Sequence, residues 1–369
     1  MLTELYVDNF RCLTNFRINP GVFQLWSGDN GSGKTSVLHA MRNVQRLLRG
    51  EHVGDIFEED STTLWDTRLE QTVGLSLSID GETYEYRLIV EYSRHGAKTR
   101  IKREQMKWND ETFFLYDAGE AHLFRINRGT GQVEEGVRFS ADWSRSVIPS
   151  IAERDDNRPL VKFRECVESW LLVHPVPLVM EEMARGEMRA LSPHLENFAQ
   201  WYRHLLQERP EIGRRANTLI AEALPGFDLL SLKDIGEARR LTATFRIDGS
   251  NHEFDFLELS DGQRQIIALY TVLESLRAGV FSAIFVDEPD NFVSLREIRP
   301  WLDCLEGLCE EDNRQAVIIS HHPEIVNAMA RGDDLWFSRP GGAHVQVKPL
   351  PVTPGLTPAE TVARGWGDE

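Results

Sequence analysis

The eight residues Gly28-Asp29-Asn30-Gly31-Ser32-Gly33-Lys34-Thr35 constrain this chain more than any other stretch. Their three glycines free the backbone to turn its N–H groups inward around an anion. A helix that starts at the end of the loop aims its positive dipole at the same point. The flanks fit this. Residues 22–27 (Val-Phe-Gln-Leu-Trp-Ser) read as a short buried strand, and Val37, Leu38, Met41, Val44 and Leu47 recur at helical spacing up to a stop at Gly50. Strand, glycine loop and helix in that order make a P-loop, which predicts a site for a nucleoside triphosphate. Gly28, Asn30, Gly31, Ser32, Gly33 and Ser36 would wrap the phosphates. Lys34 would reach the β- and γ-phosphates, and the Thr35 hydroxyl would ligate Mg2+.

Three further motifs follow in order. Ala283-Ile284-Phe285-Val286-Asp287-Glu288-Pro289 is an apolar strand ending in two carboxylates. By itself it also fits a solvated strand end. Behind a P-loop it reads as a Walker B strand, with Asp287 holding Mg2+ through water and Glu288 orienting or deprotonating the attacking water. Leu259-Ser260-Asp261-Gly262-Gln263 precedes a helix. Ser260-x-x-Gln263 is a capping box, but a box needs neither Gly262 nor Leu259. A capped helix start with a glycine beside it can also meet a γ-phosphate brought by a second subunit. Finally, Val317-Ile318-Ile319-Ser320-His321-His322-Pro323 is a buried strand delivering a histidine at its carboxyl end, where open α/β sheets bind ligands. His321 can contact the γ-phosphate there, or serve the packing alone.

Between these motifs the pattern changes twice. Val73, Leu75, Leu77 and Ile79 alternate, Asp80-Gly81 is a two-residue hairpin turn, and Tyr84 to Tyr92 alternate again. Further strands are expected near 98–108, 112–117 and 121–126, giving an antiparallel β-subdomain. Residues 158–224 read as mostly helical, broken by Pro175, Pro177, Pro193 and Pro210, with Trp170, Trp201 and Tyr202 at helical core positions. No heptad pattern persists, so no long coiled coil is expected. Residues 241–247 read as a strand. Helix 263–277, strand 281–286, helix 294–309 and strand 315–319 predict an α/β lobe with parallel strands. The Pro- and Gly-rich tail after about 349 reads as irregular. The expected division is lobe I at 1–157, a compact helical insertion with its return strand at 158–255, and lobe II at 256–369.

Charge and cysteine usage bound the setting. The net charge of -17 does not attract nucleic acid or anionic lipid. DNA would need a local basic patch, and the densest is Arg94, Lys98, Arg100, Lys102, Arg103 and Lys107. The same residues can equally form a solvated hairpin paired with Glu85 and Glu91. The acidic run Asp55, Glu58, Glu59 and Asp60 has no ligand spacing and reads as surface. Cys12, Cys166, Cys304 and Cys309 are scattered, without CxxC spacing, which argues against structural zinc and suits a reducing cytoplasm. No apolar run is long enough to span a membrane.

In this order the motifs resemble the ABC-type ATPases of the SMC/RecF/OLD-like branch. The opening Leu5-Tyr6-Val7-Asp8-Asn9-Phe10-Arg11 is similar to that branch's N-terminal strand, and the chain is similar to short stand-alone bacterial ATPases of the AAA_21 type. The resemblance covers nearly the full chain. It implies a bilobed ABC ATPase head of α/β class, with ATP and Mg2+ as cofactors. Two nucleotides would be sandwiched between two copies, each held by one copy's P-loop and the other's Ser260, Gly262 and Gln263. It also implies catalytic roles for Glu288, His321 and Lys34, and a nucleotide contact from Arg11. A switch in DNA repair or anti-phage defence, working with a separate effector such as a nuclease or toxin, follows from the same likeness. A nucleotide-gated regulator of a protein partner stands as the alternative, and a transporter subunit is less in keeping with the β-subdomain. There are two departures. The stretch Ser144–Asn157, where the topology would place a Q-loop, contains no glutamine, and Gln71 lies early in the β region. After Pro289 the chain reads Asp290-Asn291-Phe292, without the D-loop aspartate in its usual place.

Overall fold

The computed structural model describes residues 1–92 and 99–364. At its centre lies a six-stranded sheet in the order Trp170–Val173, Ala283–Asp287, Gln315–Ile319, Phe23–Gly28, Leu335–Ser338, Gln346–Pro349. The first five strands are parallel and the last is antiparallel. The five parallel strands are mostly apolar because both faces are covered. Leu25, Leu171, Ile284, Val286 and Ile318 point into one core, with helices Asp261–Arg277 and Leu295–Asp312. Trp26, Trp170, Phe285, Val317 and Ile319 point into the other, with helices Lys34–Leu48 and Arg158–Glu168 and the second sheet.

That second sheet has eight antiparallel strands. It runs from Phe16–Ile18 through Leu2–Asp8 and Glu70–Ile79, then in chain order through Glu82–Glu91, Arg100–Trp108, Glu111–Asp117 and Glu120–Ile126 to Val133–Ser140. It is the predicted β-subdomain. Asp80 and Gly81 both take positive φ (51° and 81°), as a tight hairpin turn demands. A third, smaller sheet pairs Ala238–Ile247 with Phe227–Ile235 on one side and with Met183–Ala184 and Ser250–Asp255 on the other.

Several expectations need correction. Trp170 is not helical: Trp170-Leu171-Leu172-Val173 is the edge strand of the central sheet, and all four residues are buried. The core roles foreseen for Trp170, Trp201 and Tyr202 do hold, at 3%, 1% and 1% exposure. The strand expected at 241–247 is one of a group spanning Phe227–Asp255. The tail is not wholly irregular, since Thr357 and Glu360 form a capping box that starts helix Pro358–Ala363. Among the described residues, no helix is long and apolar enough to cross a membrane.

Candidate nucleotide site

Register sets the geometry of the site. Asp287 pairs with Ile319, Ile319 with Trp26, and Val173 with Val286. The carboxyl ends of four parallel strands are therefore level, and the segments beginning at His174, Glu288, Ser320 and Gly28 emerge side by side.

The glycine loop is held open by conformation and by crowding. Gly28, Gly31 and Gly33 all have positive φ (149°, 77° and 102°). A Cβ on Gly33 would lie 2.4 Å from Val345 Cγ2 and 3.0 Å from Cys12 Sγ, so a side chain fails there on two counts. Asn30 and Gly31 are exposed at the tip of the loop. Helix Lys34–Leu48 starts with no side-chain cap and no acidic residue in its first turn, which leaves its N–H groups and its dipole for an anion. Lys34 Nζ donates to the carbonyls of Gly28 (2.6 Å) and Asp29 (3.0 Å) and to Ser32 Oγ (3.2 Å). Burial lowers its pKa, against the pull of Asp287, Glu288 and Asp29. Such an ammonium is poised to exchange carbonyl partners for phosphate oxygens. Ser36 Oγ accepts from Cys12 Sγ at 3.6 Å.

The Walker B strand meets this loop directly. Thr35 Oγ1 donates to Asp287 Oδ2 at 2.9 Å, joining residues 252 apart in sequence. Burial raises the pKa of Asp287, and the Thr35 hydrogen bond and the charges of His174 and Lys34 offset part of this. Glu288 has positive φ (52°), uncommon outside glycine, and its N–H donates to Ile319 O. Its carboxylate accepts from Asn291 Nδ2 at 2.8 Å and lies 2.9 Å from His321 Nδ1. His322 instead caps helix Pro323–Met329 through Nδ1. The structure thus brings Lys34, Thr35, Asp287, Glu288 and His321 together. A hydroxyl and a buried carboxylate at hydrogen-bond distance fit two neighbouring ligands of a hard divalent cation. No group of three or more His, Cys, Asp or Glu side chains among the described residues is arranged to hold a metal unaided. A cation here would have to share phosphate oxygens.

Ser260 and Gln263 bond to each other, and Gly262 packs against the segment that follows Glu288. Ser260 N–H donates to Gln263 Oε1 (3.0 Å) and Gln263 N–H to Ser260 Oγ (3.3 Å), the reciprocal box. A Cβ on Gly262 would lie 2.8 Å from the Phe292 carbonyl, so backbone packing requires glycine there. No hydrogen bond among the described residues links Ser260–Gln263 to the P-loop of the same chain. Phe292 itself has φ 74° and is 49% exposed.

Arg11 is exposed and has positive φ (51°). Its backbone N–H donates to Ser61 O, and its guanidinium lies over the Phe10 ring at 5.5 Å. It is near enough to His39 on the P-loop helix to add to the lowering of that imidazole's pKa to about 4, which burial dominates. Of the basic stretch, Arg94 and Lys98 lie outside the described residues. The other four are ion-paired: Arg100 with Glu91, Lys102 with Glu70, Arg103 with Asp117 and Lys107 with Glu85.

Sequence reasoning missed His174. It lies just past the Trp170–Val173 strand, with Nδ1 3.9 Å from Asp287 Oδ2. The Ser144–Asn157 stretch is engaged elsewhere, through Ser144 O to Val53 N–H and Ser146 Oγ to Glu104. Gln71 is tied to Tyr92 and Ser61 within the β-subdomain. The available signal for His174 was an apolar run of four closed directly by His-Pro, much as the apolar strand before His321 is closed by Ser-His-His-Pro.

The family described as "AAA domain, putative AbiEii toxin, Type IV TA system" matches residues 28–327, from the first glycine of the loop past His321 and His322. The chain belongs to this family. It is a P-loop ATPase of the AAA_21 type. Solved structures place this AAA_21 protein among heads of similar fold. An SMC head bound to the C-winged helix domain of ScpA has TM-score 0.57 at 13% identity, covering 95% of this chain and 98% of that one. The SMC head domain from Thermotoga maritima has TM-score 0.51 at 13% identity, covering 95% and 99%. The Smc head domain with an extended coiled coil, bound to the C-terminal domain of ScpA derived from Pyrococcus furiosus, has TM-score 0.52 at 12% identity, covering 100% and 98%. At such identities the likeness is one of fold. A search of curated proteins gives no match.

Proposed function

We propose that this AAA_21 protein binds Mg·ATP and hydrolyses it slowly in a composite site closed by a second copy, as a switch for a separate effector. The Thr35–Asp287 hydrogen bond, with the Glu288–His321 pair beside it, is the observation that carries the reading. In this site the P-loop N–H groups and Lys34 hold the phosphates, and Thr35 and Asp287 hold the cation. When bound, Mg2+ neutralises charge on the phosphate oxygens. Glu288 orients and deprotonates the attacking water. His321 holds the Glu288 carboxylate on one side and can face the γ-phosphate on the other. Arg11 is the lateral candidate for a nucleotide contact.

The capped start of helix Asp261–Arg277, with Ser260 exposed, supports closure by a partner copy, whose Ser260, Gly262 and Gln263 would meet the γ-phosphate. For the effector, the ion pairs along the described part of the basic stretch and the net charge of -17 favour a protein partner over direct DNA contact. The family's description suggests a toxin or defence setting. The test is phosphate release and fluorescent-ATP binding for the wild type, Lys34→Ala and Glu288→Gln, with and without DNA. Loss of both binding and turnover in Lys34→Ala, and loss of turnover alone in Glu288→Gln, is expected. Wild-type turnover in Glu288→Gln would overturn the assignment of the general base. Strong stimulation by DNA would favour the DNA-linked reading.

A further inference from the structure

His174 is the unexplained member of the site. Its strand is parallel to the Walker B strand and in register with it, which sets the imidazole beside Asp287. The main chain of His174 is anchored on both sides, and its ring meets one neighbour. The His174 N–H donates to Pro193 O at 2.8 Å, and its carbonyl is 3.1 Å from His194 Nδ1. The His194 ring meets it edge-on, with centroids 5.8 Å apart. Yet Nδ1 is buried and has no hydrogen-bond partner among the described residues. Its separation of 3.9 Å from Asp287 Oδ2 is too long for a hydrogen bond. A buried ring nitrogen that faces a carboxylate without a hydrogen bond is unfavourable unless something bridges the two. A small shift of the imidazole would let one cation bridge them, since neighbouring ligands of an octahedral ion lie about 3.0 Å apart and opposite ones about 4.2 Å.

We infer that His174 ligates the nucleotide-bound cation through Nδ1, and that this nitrogen tilts the site from Mg2+ toward Mn2+ and its heavier neighbours. The inference rests on the nucleotide-site reading above and deepens it. Thr35 and Asp287 supply oxygens, which suit Mg2+. An imidazole adds a softer donor, which Mg2+ takes poorly and Mn2+ or Co2+ accepts. Because the protein groups do not form a cage unaided, the selectivity is expressed only with the triphosphate present.

The experiment uses the full chain with Mn·ATP. Electron spin-echo envelope modulation of bound Mn2+ reads directly coordinated nitrogen. Nitrogen coupling is expected in the wild type, lost in His174→Gln and kept in His321→Ala. In parallel, fluorescent-ATP titrations in Mg2+, Mn2+ and EDTA give cation preference. The Mn2+-over-Mg2+ affinity ratio should fall about 10-fold in His174→Gln, the scale of losing one metal contact, while affinity in EDTA stays unchanged, which reports an intact loop. Bound Mn·ATP without nitrogen coupling, or an unchanged ratio in the variant, overturns the inference and leaves the nucleotide site standing. Failure to bind fluorescent ATP under any condition overturns the nucleotide-site reading, and the inference with it.

Discussion

Glu104→Gln should make the protein less sensitive to alkaline pH. Glu104 is 1% exposed inside the β-subdomain, and its Oε1 accepts from Tyr86 Oη (2.9 Å) and Ser146 Oγ (2.8 Å). Burial pushes its carboxyl from 4.5 up to about 7, and the two hydroxyl donors only partly oppose this. The folded value lies above the unfolded one, so folding favours the protonated form. Its contribution is therefore complete below about pH 4.5 and is lost as pH rises through about 7. At about 1.4 kcal/mol per pH unit, that gap makes the native state about 3 kcal/mol less stable at pH 8 than at pH 4 on account of this one group. A glutamine keeps an acceptor oxygen for the two hydroxyls and has no proton to lose. Urea unfolding by tryptophan fluorescence, at intervals from pH 5 to pH 8, measures the effect. Asp290, Asp334 and Glu168 are also raised by burial and add slopes of the same sign. These are common to both proteins, so the difference curve is what counts. It should open in favour of the variant by about 2–3 kcal/mol at pH 8, with equal m-values. Parallel stability curves across that range would refute the reasoning.

Two further changes test the scaffold of the site. Gly33→Ala combines positive φ with overlap against Val345 and Cys12, so fluorescent-ATP binding should fall at least 100-fold, on the order of the ~3 kcal/mol that a distorted cradle forfeits. Binding titration at matched folded fraction checks this. Gln45 Nε2 donates to the carbonyls of Val167, Glu168 and Trp170, tying the P-loop helix to the strand that precedes His174. Gln45→Ala leaves those acceptors unpaired and should cost about 1–3 kcal/mol in urea unfolding.

Legibility from sequence followed how local the signal was. The P-loop, Asp287–Glu288 and His321 each sit where a short buried strand stops, and the sheet register then brings them level without further instruction. The β-subdomain was readable where Val73 to Ile79 and Tyr84 to Tyr92 alternate, because one face of those strands is buried. Val133–Ser140 escaped notice: it is an edge strand, largely exposed and without apolar alternation. Trp170–Val173 escaped for the opposite reason. It is buried on both faces, and four apolar residues have no period to distinguish strand from helix. His174 was lost with it, because its meaning depends on which strand lies beside the Walker B strand, a matter of topology. The pairing of Lys102 with Glu70 was hidden likewise, since those strands are 32 residues apart and the contact depends on register.

The composite site is most directly tested by the mass of Glu288→Gln in solution with Mg·ATP, measured by light scattering after size exclusion. Hydrolysis is blocked in that variant, so a dimer is predicted with ATP and a monomer with ADP. Adding Ser260→Arg should return the ATP-bound protein to a monomer while fluorescent-ATP binding persists. An ATP-bound dimer unaffected by Ser260→Arg, or a Glu288→Gln protein that stays monomeric while saturated with ATP, would contradict the account.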